Sequence, residues 1–323
     1  MRKKATEQWI AKQNEILPQC DYQHITYTMP AALWSFFKAN RFLLNTLSTI
    51  AAKILLKIAK KKKITIGIFT ALHTFGRDLK WNMHIHVSVT RGGLSDNDLT
   101  WKNIYFKKQS TMHMWRFAII HLLRQTYKKG KLTIPEEYQS TIHNLTSLNR
   151  ILNPEYQKKW HVHFAQPQKS HHHNVNYLGR YIKRPPLAQS RLLHYDGKTV
   201  IFRYLNHKTK RHALFHCTAI EFIQRLIQHI PKKSFKMIRY YGFLSFRLRG
   251  KLLPKIYQLL NQTPKTPKQI TFTSLSLQFL RTDPFECILC GSRLVFKERR
   301  HKRKFRTLRN HHKAFATLQR INF

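Results

Sequence analysis

Three features of the 323-residue chain predict an α+β fold built on an antiparallel sheet. β-Branched, alternating runs stand at QHITYTMP, KKKITIGIFTALHTF and MHIHVSVT. The last two are separated by only a few residues, a connection that pairs tandem strands antiparallel. Longer helical stretches surround them without alternating one for one with strands, which argues against a parallel α/β sheet.

In chain order, residues 5–17 read as a short helix ended near Pro18, and QHITYTMP as a strand stopped by Pro30. Residues 31–60 carry apolar residues at helical spacing, including Leu33, Phe36, Phe37, Leu44, Leu47, Ile54, Leu55 and Ile58, and predict one helix. KKKITIGIFTALHTF is a strand, Gly76 begins a turn, and MHIHVSVT is a strand closed by Gly92-Gly93. LTWKNIYFKK is a further extended segment; residues 110–129 and 135–151 are helical, and KWHVHFAQP returns to a strand. Residues 171–184 form a short helix stopped by Pro185-Pro186. GKTVIFRYLNHKTKRHALFHC reads as a hairpin turning near residues 206–210, and a helix at 218–230 follows. From about residue 285 the chain holds a cysteine pair and then a cluster of Arg, Lys and His. Neither an internal repeat nor a Gly/Ser linker is present.

The chain carries 59 Lys plus Arg against 14 Asp plus Glu, a formal charge of +45. Such an excess repels itself and is of no use to a folded domain alone, so a polyanion is the expected partner, nucleic acid before others. The charge runs from end to end, which excludes a basic tail on a neutral domain, and 42% hydrophobic residues are many for a ribosomal protein. Four cysteines in this length do not make a disulfide framework. The start, MRKKATEQWIAKQNE, lacks the apolar stretch of a signal peptide. FLLNTLSTIAAKILLKIAK is interrupted by Asn45, Lys53 and Lys57, which suits an amphipathic helix better than a membrane span. The expected setting is cytoplasmic, on nucleic acid, with no membrane.

His84 and His86 flank Ile85 on a strand and so share one face, where two imidazoles can bind one divalent ion. In a chain with 20 histidines one such pair arises by chance, and His161-Val162-His163 and His171-His172-His173 are competing groups. Histidines that stack or touch phosphate are the alternative. His73 ends the preceding strand, and an antiparallel hairpin brings it opposite the same face. Three imidazoles with open positions suit Mg²⁺ or Mn²⁺ once substrate phosphate completes the shell. Asp78, in the intervening loop, reads as a turn residue.

NVNYLGRYIKRPP sets Tyr177 and Tyr181 one helical turn apart, with Val175, Leu178 and Ile182 as the neighbouring apolar stripe. Arg180, Lys183 and Arg184 add positive charge, as DNA contacts or as the cationic surrounding a phenol needs to attack. The pair is either two half-buried aromatics or two nucleophiles able to form a phosphotyrosine.

On these residues the chain resembles the two-tyrosine HUH rolling-circle transposases of bacterial insertion sequences. The carriers are His-hydrophobic-His on a strand, then Y-x-x-x-Y on a basic helix. LHTFGRDLKWNMHIHVSVTRGG, YLGRYIKRPPLAQSRLLHYDGKTVIFRYLNHKT and FKMIRYYGFLSFRLR extend the likeness, which covers roughly residues 5–295. It implies an HUH-endonuclease fold: a central antiparallel sheet flanked by helices, the metal histidines on a middle strand beside HITYTMP, the tyrosine helix alongside, and an added hairpin and helical C-terminal part. It selects His84 and His86 over the pair at 161 and 163, with His73 as third ligand. It implies a division into an N-terminal helix at 1–20, a nuclease domain at 21–185, a hairpin-and-helix region at 186–255 and a basic C-terminal region at 256–323. A cysteine-rich zinc-binding domain, usual ahead of such a nuclease, is expected before the point where this sequence starts.

The implied activity is metal-dependent nicking and strand transfer of single-stranded DNA at element ends and target. Tyr177 and Tyr181 act as nucleophiles through a 5′-phosphotyrosine. A plasmid replication initiator or relaxase with the same centre, and a non-catalytic DNA-binding remnant of a transposon, remain as other readings. Self-association as a homo-oligomer is compatible with all of them. In CILCGSRL, Cys287 and Cys290 form half a zinc knuckle, for which His301, His311 or His312 are further ligands of a structural Zn²⁺. KERRHKRKFRTLRNHHK is either a phosphate-contacting segment or a solvated tail.

Overall fold

The structure is a computed structural model that describes residues 2–95, 100–166, 175, 186–206, 209–264 and 271–295. In chain order the described strands are β1 (Tyr22–Tyr27), β2 (Ile64–Phe75), β3 (Trp81–Ser95), β4 (Trp101–Asn103), β5 (Val162–Phe164), β6 (Leu192–Tyr195), β7 (Thr199–Leu205), β8 (His212–Thr218) and β9 (Ile238–Gly242). The described α-helices are α1 (Arg2–Ile16), α2 (Trp34–Ala39), α3 (Leu44–Lys61), α4 (Lys108–Lys128), α5 (Leu145–Gln157), α6 (Ala219–Ile227), α7 (Phe246–Leu259) and α8 (Phe272–Leu280). The chain divides into two compact units, Met1–Gln269 and Ile270–Phe323.

The first unit is α+β, as the sequence predicts. Its main sheet runs β5-β1-β3-β2-β9, with β4 paired to the end of β3, and every pairing is antiparallel. Strand alternation gives the sheet two different faces. One carries Met83, Ile85, Val87 and Val89 of β3 with Ile64, Ile66, Ile68 and Leu72 of β2. These pack on Leu47 and Leu55 of α3, Trp115 and Ile119 of α4 and Leu148 of α5, all buried. Each such side chain contributes roughly 1.5–3 kcal/mol on leaving water. The opposite face carries Tyr22, Phe69 and Ala71, in one buried cluster with Ile10 of α1, Val175, and Leu253 and Ile256 of α7.

A small sheet, β6-β7-β8, packs Val200 and Phe202 against Phe222 and Leu226 of α6. Leu79, from the β2–β3 turn, is fully buried in that cluster and ties the hairpin region to the main sheet. The helix Arg41–Lys61, which spans α3, is long and apolar enough by composition to cross a membrane. Here its apolar side faces the sheet, with Leu44, Leu47, Ala51, Ile54 and Leu55 in the core.

Several elements differ from expectation. The helix over 31–60 breaks at Asn40, whose buried amide donates to the carbonyls of Phe36 (2.9 Å) and Thr133 (2.7 Å) and accepts from Thr133 N–H (2.8 Å). That network satisfies the helix end and the 130s loop together, which rewards a break over a continuous helix. β3 does not close at Gly92-Gly93 but continues to Ser95. A Cβ at Gly93 would stand 2.4 Å from the Thr65 carbonyl oxygen, so the missing side chain is what lets β2 pair there. Residues 135–144 are a 3₁₀ turn and loop rather than helix; α5 starts at the Asn144 capping box with Ser147 and runs on through Pro154. β9 and α7 are additions that the sequence pattern does not predict.

Gly242, at the end of β9, has φ +63°, and a Cβ there would lie 1.7 Å from the Ile66 carbonyl oxygen. No flexible side chain can yield, because the obstacle is backbone. Gly242→Ala should therefore lower unfolding stability by about 3 kcal/mol or more, read by denaturant titration. A drop of less than about 0.5 kcal/mol, the range of an ordinary surface substitution, would show that β9 does not dock on β2 as described.

In the second unit, α8 begins at a reciprocal cap between Thr271 and Ser274 and ends at Arg281 in the left-handed region, φ 55°. A bridge between Glu286 and Arg293 and an Asp283–Arg293 ion pair of 3.6 Å close a turn that holds the cysteine pair.

Candidate metal centre

The β2–β3 connection is short because Gly76 N–H donates to Lys80 O (2.9 Å) and Leu79 N–H returns to Gly76 O (3.2 Å). Asp78 Oδ1 accepts from the Lys80 backbone N–H and Oδ2 pairs with the Lys80 ammonium, so Asp78 is a turn residue here. Phe75 pairs with Trp81, and a register shift between His73 and Phe75 then sets His73 opposite His84 and Ala71 opposite His86. Directly opposed residues share a face. The three imidazoles therefore meet on the face of Tyr22, Phe69 and Ala71, with ring centroids 4.8 Å (73–86), 4.9 Å (84–86) and 5.4 Å (73–84) apart. One ligand nitrogen from each lies within 4.8 Å of the other two.

Burial decides their charge. It brings His73 down to about 3, with the neighbouring charges of His84 and then His24 adding to the effect. Burial likewise pushes His86 well below its usual value, helped by His73, His84 and His24, and lowers His84 against the opposing effect of its bond to Asn82. All three are neutral at pH 7, the form that ligates a metal. His84 Nδ1 lies 3.0 Å from the Asn82 carbonyl oxygen, which fixes the proton on Nδ1 and leaves Nε2 its lone pair.

His24 on β1 carries no signal in the sequence. Its Nε2 is 3.1 Å from His86 Nδ1, and Thr26 Oγ1 stands 3.3 Å from the same His86 nitrogen. Burial first, then the charge of His163, lowers His24 to about 4. With Nδ1 engaged by His24 and Thr26, His86 presents Nε2 to the triad. Only the β1–β3 register, Thr26 opposite His86, reveals this partner, which is 62 residues away in sequence.

Three neutral imidazoles on a rigid sheet, two with their outer nitrogens already held, fit a divalent first-row ion with open positions. Among the described residues this is the group of three or more ligating side chains the structure assembles. Tyr177, Tyr181, Arg180, Lys183 and Arg184 lie outside the described residues, as does the run 171–173. Val175, two residues before Tyr177, is helical and fully buried, in the cluster of Phe69 and Ala71 on the histidine face. His161 and His163 stand at the β5 edge of the sheet, both exposed and apart from the triad. In the second unit, Gly291 N–H to Cys287 O (2.8 Å) and Cys287 N–H to Ser292 O (2.9 Å) fold Cys287 and Cys290 into one turn. Hydrogen bonds from Ser292, then from Cys287, lower the exposed Cys290 thiol. His301, His311 and His312 lie outside the described residues.

Comparison with known proteins gives the same direction. The family model Y2_Tnp, described as "Putative transposase", matches residues 67–251. The chain is 41% identical over 297 residues to the "Transposase for insertion sequence element IS801" of Pseudomonas savastanoi pv. phaseolicola, covering 91% of this chain and 72% of that protein. It is 26% identical over 279 residues to the "Putative transposase y4qJ" of Sinorhizobium fredii, covering 82% and 69%. No solved structure matches the chain.

Proposed function

The chain belongs to the Y2_Tnp transposase family and is a DNA transposase, and on that premise we propose that it cuts and rejoins single-stranded DNA by transesterification at tyrosine. The observation that carries this reading is the neutral His73–His84–His86 triad on the sheet face against which Val175, beside the tyrosine pair, is buried. A bound Mg²⁺ or Mn²⁺ supplies Lewis acidity to the scissile phosphate there. His84 and His86 aim their Nε2 atoms into the site, His73 completes the set, and His24 and Thr26 hold the His86 ring.

Tyr177 or Tyr181 loses its phenolic proton, its oxygen bonds to phosphorus, and the bond from phosphorus to the 3′ oxygen breaks. That oxygen takes up a proton and leaves as a 3′-OH. The phosphodiester energy is retained in the 5′-phosphotyrosine, so rejoining needs no nucleotide cofactor. The second tyrosine allows a second cut while the first end is attached. Arg180, Lys183 and Arg184 hold the phosphates and favour the phenolate. In this reading residues 21–185 form the nuclease, residues 186–255 an accessory region, and the Cys287–Cys290 turn half of a structural zinc site. The chain works in the cytoplasm at the nucleoid, on strands exposed at element ends and targets. Incubation with a single-stranded oligonucleotide library and Mn²⁺ tests it. A DNA–protein adduct that survives SDS is the expected result; retardation without adduct, independent of metal, would leave only a DNA-binding protein.

Removing the His24 imidazole should loosen His86 without touching the ion. His24→Ala is expected to weaken Mn²⁺ binding about 10- to 100-fold by calorimetry, with partial recovery in His24→Gln. Affinity within about twofold of the unmodified chain, well short of that range, would rule out a supporting role.

A further inference from the structure

A groove at the β5 edge of the main sheet has no part in the metal centre. It is a cavity of about 610 Å³ whose lining includes Lys108, His113 and Arg116 of α4 and Lys159, His161 and His163 at β5. Among the described residues, no carboxylate lines it. The nearby Glu155 is buried and paired with Lys158, outside the lining. Arg116 is held in place at the groove wall: its guanidinium lies over the Tyr156 ring at 4.4 Å and donates to the Lys158 carbonyl (3.2 Å).

Sheet register connects this groove to the histidines. Thr26 of β1 pairs with His86 on one side and His163 on the other. Opposed residues share a face, and neighbouring strands lie about 4.8 Å apart, so the His163 backbone is roughly 10 Å from that of His86 on the same face. A strand bound with one phosphate at the triad therefore reaches His163 within a few nucleotides, and from there rounds the open β5 edge to meet α4, which packs on the other face of the sheet.

We propose that the β5-edge groove binds the backbone phosphates of single-stranded DNA continuing from the metal centre across β1. Lys108, Arg116 and Lys159 provide the charge, and the exposed imidazoles of His161 and His163 hydrogen-bond to phosphate or stack on bases. This assigns a role to the second His-x-His pair, which does not join the triad. The proposal rests on the strand-cutting reading for its direction but not for its test.

The test is equilibrium binding of fluorescein-labelled oligo-dT, about 20 nucleotides long so as to exceed a single-strand site, to the full chain in EDTA, followed by anisotropy across a salt series. Lys108→Glu with Arg116→Glu and Lys159→Glu should raise Kd at least about tenfold. It should also reduce the slope of log Kd against log salt by about 2, at roughly 0.7 for each phosphate no longer neutralised. The control reverses three exposed lysines at the end of α3, Lys60→Glu, Lys61→Glu and Lys62→Glu, and should change Kd much less. An equal weakening in both variants, or none in the first, overturns the proposal. Should the groove variant not fold, photocrosslinking of 5-iodouracil oligonucleotides to the unmodified chain decides. Crosslinks within 108–116 or 159–163 support the groove, and crosslinks confined elsewhere refute it. Because EDTA removes the metal chemistry, groove binding and adduct formation can fail independently.

Discussion

Changing Tyr177 and Tyr181 together to phenylalanine should eliminate the covalent DNA adduct, a loss on the order of 10⁴-fold or more in cleavage. The substitution removes two hydroxyls and nothing else. The aromatic rings, the basic residues of the same segment and the histidine triad are unchanged in composition. DNA affinity in EDTA and Mn²⁺ affinity without DNA should therefore remain within about twofold of the unmodified chain, since neither hydroxyl carries the phosphate charge pairing that dominates binding. Single variants divide the roles: the tyrosine whose loss alone stops the first cut is the initiating nucleophile. The other variant should cut once and fail to complete strand transfer. An adduct persisting in the double variant would move the nucleophile elsewhere in the chain.

His86→Ala is the second large effect. His86 is the meeting point of the centre: its ring lies 4.8 Å from that of His73 and 4.9 Å from that of His84, and its Nδ1 touches His24. The variant removes a proposed ligand and with it the group that His24 holds, so Mn²⁺ affinity should fall more than about 100-fold, beyond the effect expected for a supporting residue. Adduct formation should fall with it at any practical metal concentration. The electrostatics add a pH signature. Proton competition for the ligating nitrogens begins near about 6.5 for an ordinary histidine. Burial lowers all three here, His73 to about 3. Affinity in the unmodified chain should thus stay level as pH falls from about 7.5 to about 6.5 and decline only below that ordinary value, first as His84 takes up its proton. Calorimetry near neutral pH should detect almost no proton release on binding. A midpoint at about 6.5 would indicate exposed histidines and contradict the geometry.

The histidine face is legible because a strand's period is short and strict. Met83, Ile85, Val87 and Val89 mark the core side, so His84 and His86 must take the other. His73 lies near the end of the strand before a short hairpin, so its approach to the pair is legible; its pairing with His84 is not, because the register shifts by one residue between His73 and Phe75, and counting back from the turn would pair His73 with Met83. His24 escapes because its meaning depends on a register between strands separated by two helices, and one histidine on a strand carries no periodic signal. Ile134, Tyr138 and Ile142 have helical spacing, yet they line a loop that packs on the main core. The Asn144–Ser147 cap, not the apolar pattern, sets where α5 starts. α7 passes through Pro254, a residue that costs a helix interior one backbone hydrogen bond, and buries Leu253, Ile256 and Tyr257 around it. The resemblance identifies the family where physical reasoning leaves a catalytic and a non-catalytic reading open, because long ordered segments discriminate better than any single His-x-His pair.

Anomalous diffraction from crystals of the chain grown with Mn²⁺ tests the central claim most directly. A single strong peak about 2.2 Å from one nitrogen of each of His73, His84 and His86, with Nε2 the ligating atom of residues 84 and 86, is the predicted result. Manganese bound elsewhere, or a triad whose imidazoles stay in contact with one another at saturating metal with no peak between them, would contradict it.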